Sequence, residues 1–294
     1  MFESYAEFLA NQGGEDACLA YFIHCRWPDG YRCPLCGHRE AYTISTRRRP
    51  LFECVRCRHQ ASVTSGTCME GTRTSLSKWL FTIERMSDPS SGINAAQLAK
   101  QIGVTYKTAY AMMNKIRESL LLGEGGADRL SGRLEAGLAI FGPSLPSLGG
   151  LNEQEQPVAA AMEIDDADRP VRLHWMVFER EQMLRGSLTK EARLLFKREC
   201  FASDPVSQAT DMQWSWYLTN RHCRTLAPII RVEFKRIRTT YRGIRASSLS
   251  KYLAEASFRW NARQNGGDCV QLMVQACQAV CRVQRVPSGL RSAC

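Results

Sequence analysis

No apolar stretch of the 294-residue chain approaches the roughly 18 to 20 residues a membrane-spanning helix needs. The opening Met1-Phe2-Glu3-Ser4-Tyr5 lacks the basic patch and apolar core of a secretory signal. Together these absences predict a cytoplasmic protein in a reducing compartment, with no membrane partner. Internal repeats and long low-complexity tracts are missing too. Histidines number only five, and His174 and His222 have no triad context. Hydrophobic residues at 44% and aromatics at 9% are ordinary values, which argues against global disorder. The length leaves room for two or three compact units.

Acidic residues are nearly absent from the last quarter. Residues 221–294 hold 14 Lys/Arg against 3 Asp/Glu, whereas residues 128–220 hold 10 against 14 and residues 1–127 hold 15 against 12. Attraction to a polyanion is therefore expected to be strongest at the C-terminal end. The group Arg231, Lys235, Arg236, Arg238, Arg242 and Arg245 is the phosphate-contacting candidate there, with Arg236 and Arg238 at its centre. A solvated helical face is the plainer reading of the same charges.

Thirteen cysteines are an odd number at uneven spacing, which fits metal ligation in a reducing compartment better than a disulfide framework. Cys33-Pro34-Leu35-Cys36 and Cys54-Val55-Arg56-Cys57 form two CxxC knuckles with 17 residues between them. A tetrahedral zinc ion needs four soft ligands, and each tight knuckle presents two thiolates. The intervening length suits a β-hairpin that brings the knuckles together. Cys33, Cys36, Cys54 and Cys57 are thus expected to hold one structural zinc. Arg47, Arg48 and Arg49 lie between the knuckles and suit phosphate contact. Cys200, Cys223 and Cys277 read as small core residues; Cys281 lies four residues beyond Cys277 with no third ligand nearby.

Residues 93–110 have helix-turn-helix grammar. Ala99 is small where two helices cross, Gly103 permits the turn, and Val104 plugs the core. Thr105 caps a second helix whose first residues, Tyr106, Lys107 and Thr108, would face a DNA groove. Leu76 to Met86 supplies a preceding support helix. Before the ribbon, residues 1–30 read as a helical lead-in ending in a turn. After the loose Gly123-Glu124-Gly125-Gly126, strand patterns appear at Leu134–Phe141, Val158–Ile164 and Val171–Phe178. The last two flank an Asp-rich turn as an antiparallel hairpin would. A helix is expected over 188–200, a short strand near Val206–Thr210, and helices again beyond 245. The expected units are 1–70, 74–122, 130–265 and a helical tail over 266–294, in a multidomain α/β chain.

These residues resemble the zinc-ribbon insertion-sequence transposases of the ISXO-like type, within the DDE superfamily. The likeness runs through Arg26-Trp27-Pro28, both knuckles, His59-Gln60, Trp79, Gln97-Leu98-Ala99 and Gly103 to Ala109. It returns at Thr240-Tyr241-Arg242-Gly243, Tyr252 to Glu255 and Phe258 to Arg263. The resemblance implies DNA as partner, self-association, and a reduced RNase H-like domain over 130–265 using acidic residues with two Mg2+ ions. Asp211 matches the family's second acid. At the first acidic motif, however, Gly137 and Leu138 stand where the family has Asp and Glu, with Glu135 two residues earlier. Pro228 stands near the third acid, and Glu233 and Glu255 are neighbouring carboxylates. Gly142 to Ser147 replaces the glycine- and lysine-rich strands that usually follow the first acid.

Three readings follow. The chain is a DNA-binding protein built on a disabled transposase, or Glu135, Asp211 and Glu233 make a rearranged active site. In the third, the domain serves a protein partner as a regulatory or assembly subunit.

Overall fold

A computed structural model describes residues 4–46, 49–88, 92–124, 129–142, 151, 154–202, 211–213 and 223–279. Arg47, Arg48, the strand expected at Val206–Thr210, His222 and Cys281 lie outside the described residues. Two compact units are formed, one drawn from Met1–Ser87, Ala95–Gly123 and Asp268–Cys294, the other from Asp88–Asn94 and Glu124–Gly267.

In the first unit the helical lead-in is two helices, α1 (Tyr5–Gln12) and α2 (Gly14–Arg26). The break follows from Gly13 and Gly14, both in the left-handed region with φ of 75° and 85°, where side chains with a Cβ are disfavoured. Three short antiparallel strands follow in the order β1-β2-β3: β1 (Ala41–Ile44), β2 (Leu51–Cys54) and β3 (Gln60–Ser62). Next come α3 (Leu76–Ser87), α4 (Ala95–Ile102) and α5 (Tyr106–Glu124).

Helix α3 is the hub of this unit. It buries Leu76, Trp79, Leu80, Phe81, Ile83 and Met86, and packs against α1, α2 and the C-terminal α9 (Cys269–Ala279). Phe8 meets Phe81 edge-on at 5.3 Å, and the Tyr5 and Ser77 hydroxyls lie 2.8 Å apart. The first turn of α3 is capped from far away in sequence. Glu15 accepts the backbone N–H groups of Leu76 at 2.7 Å and Ser77 at 2.9 Å, placing a negative charge at the positive end of the helix dipole.

The ribbon and the helices after it fall within one compact unit, where α3 packs against the lead-in helices. Helix α9, expected in a separate tail, returns to the same core: Met273, Val274 and Cys277 are buried. The Gln278 side chain donates to Phe22 O at 2.9 Å, and Cys68 N donates to Cys277 O at 3.0 Å.

The second unit is built on a four-stranded sheet of order β6-β5-β4-β9, comprising β4 (Arg133–Phe141), β5 (Gln156–Ile164), β6 (Pro170–Val177) and β9 (Asp211–Gln213). The first three are antiparallel neighbours, and β9 runs parallel to β4. Strand β5 is central and buried on both faces, so Val158-Ala159-Ala160-Ala161-Met162 reads as a continuous apolar run. Its alanines let helices approach closely. On one face Leu134, Ala136, Leu138, Ala159 and Ala161 pack with Ala192, Phe196 and Cys200 of α6 (Lys190–Cys200). Elsewhere on the sheet, Phe141 meets Phe234 of α7 (Leu226–Thr240) edge-on at 5.1 Å, and Trp175 stacks on Phe234 at 6.1 Å.

Helix α8 (Leu249–Gln264) secures the edge strand β6. The Asn261 amide accepts Leu173 N at 2.8 Å and donates to Leu173 O at 3.0 Å, which satisfies a backbone pair at the open sheet edge. In the chain between β6 and α6 comes a minor hairpin, β7 (Met183–Leu184) with β8 (Ser187–Leu188). In the Asp-rich turn Asp165 accepts from Ala167 N and Arg169 N at 3.0 and 2.8 Å, while Asp168 pairs with Arg133 of β4. Among the described residues, no helix is long and apolar enough to cross a membrane.

Candidate metal centre and nucleic-acid interface

The two knuckles fold alike. Cys33 N donates to His38 O at 2.8 Å and Gly37 N to Cys33 O at 2.9 Å; Cys54 N donates to His59 O at 3.0 Å and Arg58 N to Cys54 O at 2.9 Å. Each turn needs a residue in the left-handed region four positions after its first cysteine. Gly37 supplies it at φ 74°, as a glycine does without strain, but in the second knuckle Arg58 adopts φ 57°. Arg58 gains contacts there, an ion pair with Glu53 at 3.2 Å and a guanidinium 5.8 Å from the Tyr42 ring centroid.

The four Sγ atoms all lie within 4.8 Å of one another, with Cys33 to Cys57 at 3.5 Å and Cys36 to Cys54 at 3.6 Å. Zinc–sulfur bonds of about 2.3 Å place tetrahedral sulfurs about 3.8 Å apart, so this donor set fits a zinc ion. The thiols already share charge unequally. Burial opposes ionisation of Cys33, but backbone N–H groups of Cys36 and Leu35 and the Cys57 and Cys36 thiols bring it down to about 6. At Cys57 the His59 backbone favours the thiolate, yet desolvation and the neighbouring thiols push it up to about 12. One thiolate raises the cost of the next, and a dication removes that conflict.

The ribbon is braced, not free-standing. Trp27, Tyr31 and Phe52 pack together, with Trp27 to Phe52 at 5.0 Å. Arg26 donates to Val63 O at 2.8 Å. Arg49, the described member of the arginine run, donates to the carbonyls of Thr72 at 3.1 Å and Thr74 at 2.5 Å. Its guanidinium therefore ties the hairpin to the segment leading into α3.

Helices α4 and α5 are joined by Gly103-Val104-Thr105. Gly103 has φ 60°, Val104 N donates to Ala99 O at 3.1 Å, and Thr105 Oγ1 accepts Thr108 N at 3.2 Å as an N-cap. Val104 is half-buried rather than a sealed core plug. Helix α5 buries Ala109, Met112, Met113 and Ile116 and presents Tyr106, Lys107 and Tyr110 to solvent. Tyr106 is 60% exposed and stacks on Tyr110 with centroids 6.1 Å apart. Tyr110 completes an aromatic pair that the i to i+4 spacing already contained.

In the second unit, Arg231, Lys235, Arg238 and Arg242 are exposed, at helical spacing along α7 and just beyond it. Arg236 is half-buried and pairs with Glu233 at 3.4 Å. Arg238 also donates to Gly142 O at 2.5 Å. Helix α7 itself was not expected. Its Pro228 falls in the first turn, where no backbone N–H is needed.

The acidic candidates occupy separate settings. Glu135 pairs in register with Asp211 across the parallel β4–β9 ladder, and Gly137 with Gln213. The Glu135 carboxylate accepts Thr225 N at 3.0 Å and Leu226 N at 2.8 Å, at the start of α7. Glu233 is buried beside Arg236. Glu255 is fully buried, accepting the Tyr241 hydroxyl at 2.8 Å, with Arg259 at 3.4 Å.

Residues 13–60 match the family model of the transposase zinc-ribbon domain, a span that covers α2 and both cysteine knuckles. No curated protein and no solved structure matches the chain. The N-terminal segment is a zinc ribbon similar to that of transposases, and its four cysteines are grouped closely enough for one metal ion.

Proposed function

We propose that this protein is a transposase-like DNA-binding protein that grips duplex DNA with its first unit and has lost most of the capacity to cut or join strands. The observation that carries the DNA reading is the exposed head of α5, where Tyr106, Lys107 and Tyr110 project beside a capped three-residue turn in the same unit as the transposase-type ribbon. Lysine suits phosphate or a guanine edge, and a tyrosine face suits base edges and thymine methyl groups. With α3 as support, α4–turn–α5 reads as a helix-turn-helix.

The second unit reads as a reduced RNase H-like domain. Three antiparallel strands with a fourth parallel to the first support that assignment. The impaired reading is supported by Glu135, whose carboxylate serves the α7 backbone, and by Gly137 at the expected first acid. The register of Glu135 with Asp211 favours a second reading, an active enzyme with Mg2+ at a shifted site. Self-association is an expectation of the family likeness, and a protein partner belongs to the third reading, a regulatory or assembly subunit.

Fluorescence anisotropy with a labelled duplex tests the main reading. Zinc-loaded protein is expected to bind with marked salt dependence, and Tyr106→Ala with Lys107→Ala to weaken binding at least tenfold. Absence of binding by the unaltered chain at low salt rejects it. A magnesium-dependent nicked strand that disappears in Asp211→Asn would favour the active enzyme.

A further inference from the structure

A shallow groove in the first unit is lined by Arg73, Thr74, Ser75, Lys78, Thr105 and Thr108, together with Val104. It holds two cations and four hydroxyl side chains and no carboxylate. The groove runs from the segment before α3 to the cap of α5, so it adjoins the exposed Tyr106 and Lys107. Arg73 is exposed, and Lys78 is half-buried, with its ammonium 3.4 Å from Gly103 O in the α4–α5 turn.

The two helix starts at this groove differ. The first turn of α3 already has its anion, since Glu15 takes the N–H groups of Leu76 and Ser77. At α5, Thr105 Oγ1 accepts Thr108 N, and its own hydroxyl lies 2.9 Å from that of Thr108. The charge that an anion would meet is therefore supplied by Arg73 and Lys78, with hydroxyl donors around it. A cleft with this lining recognises a phosphate diester rather than a carboxylate-bearing small molecule: it is open, singly apolar at Val104, and continuous with the α5 head.

We propose that this groove seats the phosphate backbone of the duplex, with Arg73 and Lys78 as its two phosphate contacts. The inference rests on the DNA-binding reading and adds the residues that fix the register of α5 against its base pairs. Arg73 and Lys78 would contribute affinity without sequence preference, while Tyr106, Lys107 and Tyr110 would read the bases.

The experiment is anisotropy of the full zinc-loaded chain on two duplexes of unrelated sequence, across a salt series, for Arg73→Ala, Lys78→Gln and the double variant. Each single change is expected to weaken binding to both duplexes by a similar factor and to reduce the slope of log K against log salt by about 0.9. Arg73 is exposed and makes no hydrogen bond or ion pair among the described residues, so its variant keeps the test valid even if Lys78→Gln disturbs the Gly103 turn. Binding with unchanged slopes in Arg73→Ala and the double variant overturns the groove alone. No binding by the unaltered chain overturns the groove together with the DNA-binding reading.

Discussion

The Glu135 carboxylate accepts the backbone N–H of Leu226 at 2.8 Å, across 91 positions of sequence. A strand residue thereby caps the helix that carries the basic stripe. The same device recurs in the other unit, where Glu15 caps α3. In both cases a carboxylate balances the positive end of a helix, and at α7 the N-cap residue Thr225 makes no side-chain cap of its own.

Replacing Glu135 by Ala should leave two α7 N–H groups without their anion and cost about 1–2 kcal/mol of stability. Urea unfolding is the check, with Glu135→Gln keeping part of the loss because an amide oxygen still accepts. Unchanged unfolding midpoints for both variants would show that the cap contributes nothing.

Cys54→Ser should abolish stoichiometric zinc and loosen the ribbon, because three thiolates cannot close the tetrahedron. Metal analysis and protease resistance of residues 31–66 report the two effects. Zinc uptake should also weaken as pH falls, since thiolates must be kept free of protons. One zinc retained per chain in the serine variant would contradict this.

Arg58→Gly should stabilise the ribbon. Arg58 adopts a left-handed conformation that costs a non-glycine residue about 1–2 kcal/mol, whereas its ion pair with Glu53 is surface-exposed and worth little. Zinc-loaded protein should therefore resist chelator-induced unfolding longer with glycine. A faster loss of zinc would show that the Glu53 and Tyr42 contacts outweigh the strain.

Burial, with the nearby Arg172 charge, holds the His174 imidazole below its ordinary 6.5. The unfolded chain then binds a proton more readily than the folded one, so stability contributed by neutral His174 is present above about 6.5 and is lost as pH falls below it. His174→Gln should flatten that slope between pH 7 and 5. An identical slope would assign the acid sensitivity to other groups.

The basic stripe of α7 is expected to touch DNA too. Changing Arg231, Lys235 and Arg242 to Ala should lower both affinity and salt slope, while Arg236→Ala should chiefly affect stability through Glu233. Equal salt slopes for the triple variant and the unaltered chain would assign these residues to solvent.

What could be read in the sequence was local. Two CxxC knuckles declare a tetrahedral site because spacing alone decides it, and β4, β5 and β6 declare themselves by runs that suit a buried sheet. The α5 cap was legible for the same reason, since Thr105 and Thr108 are three apart. The unread features are those decided at a distance. Nothing near Glu135 in the sequence announces that its carboxylate accepts Leu226 N, and nothing near Arg49 announces its carbonyl partners at Thr72 and Thr74. Helix α9 looks like a tail because nothing near 277 mentions Cys68.

The most direct test of the central claim, that Glu135 serves the fold and not a metal pair, is anomalous scattering from manganese-soaked crystals of the zinc-loaded protein. The expected result is zinc at Cys33, Cys36, Cys54 and Cys57, with the Glu135 oxygens still on Thr225 and Leu226 and no manganese beside them. Manganese held jointly by Glu135 and Asp211 would contradict it and restore the protein to the active transposases.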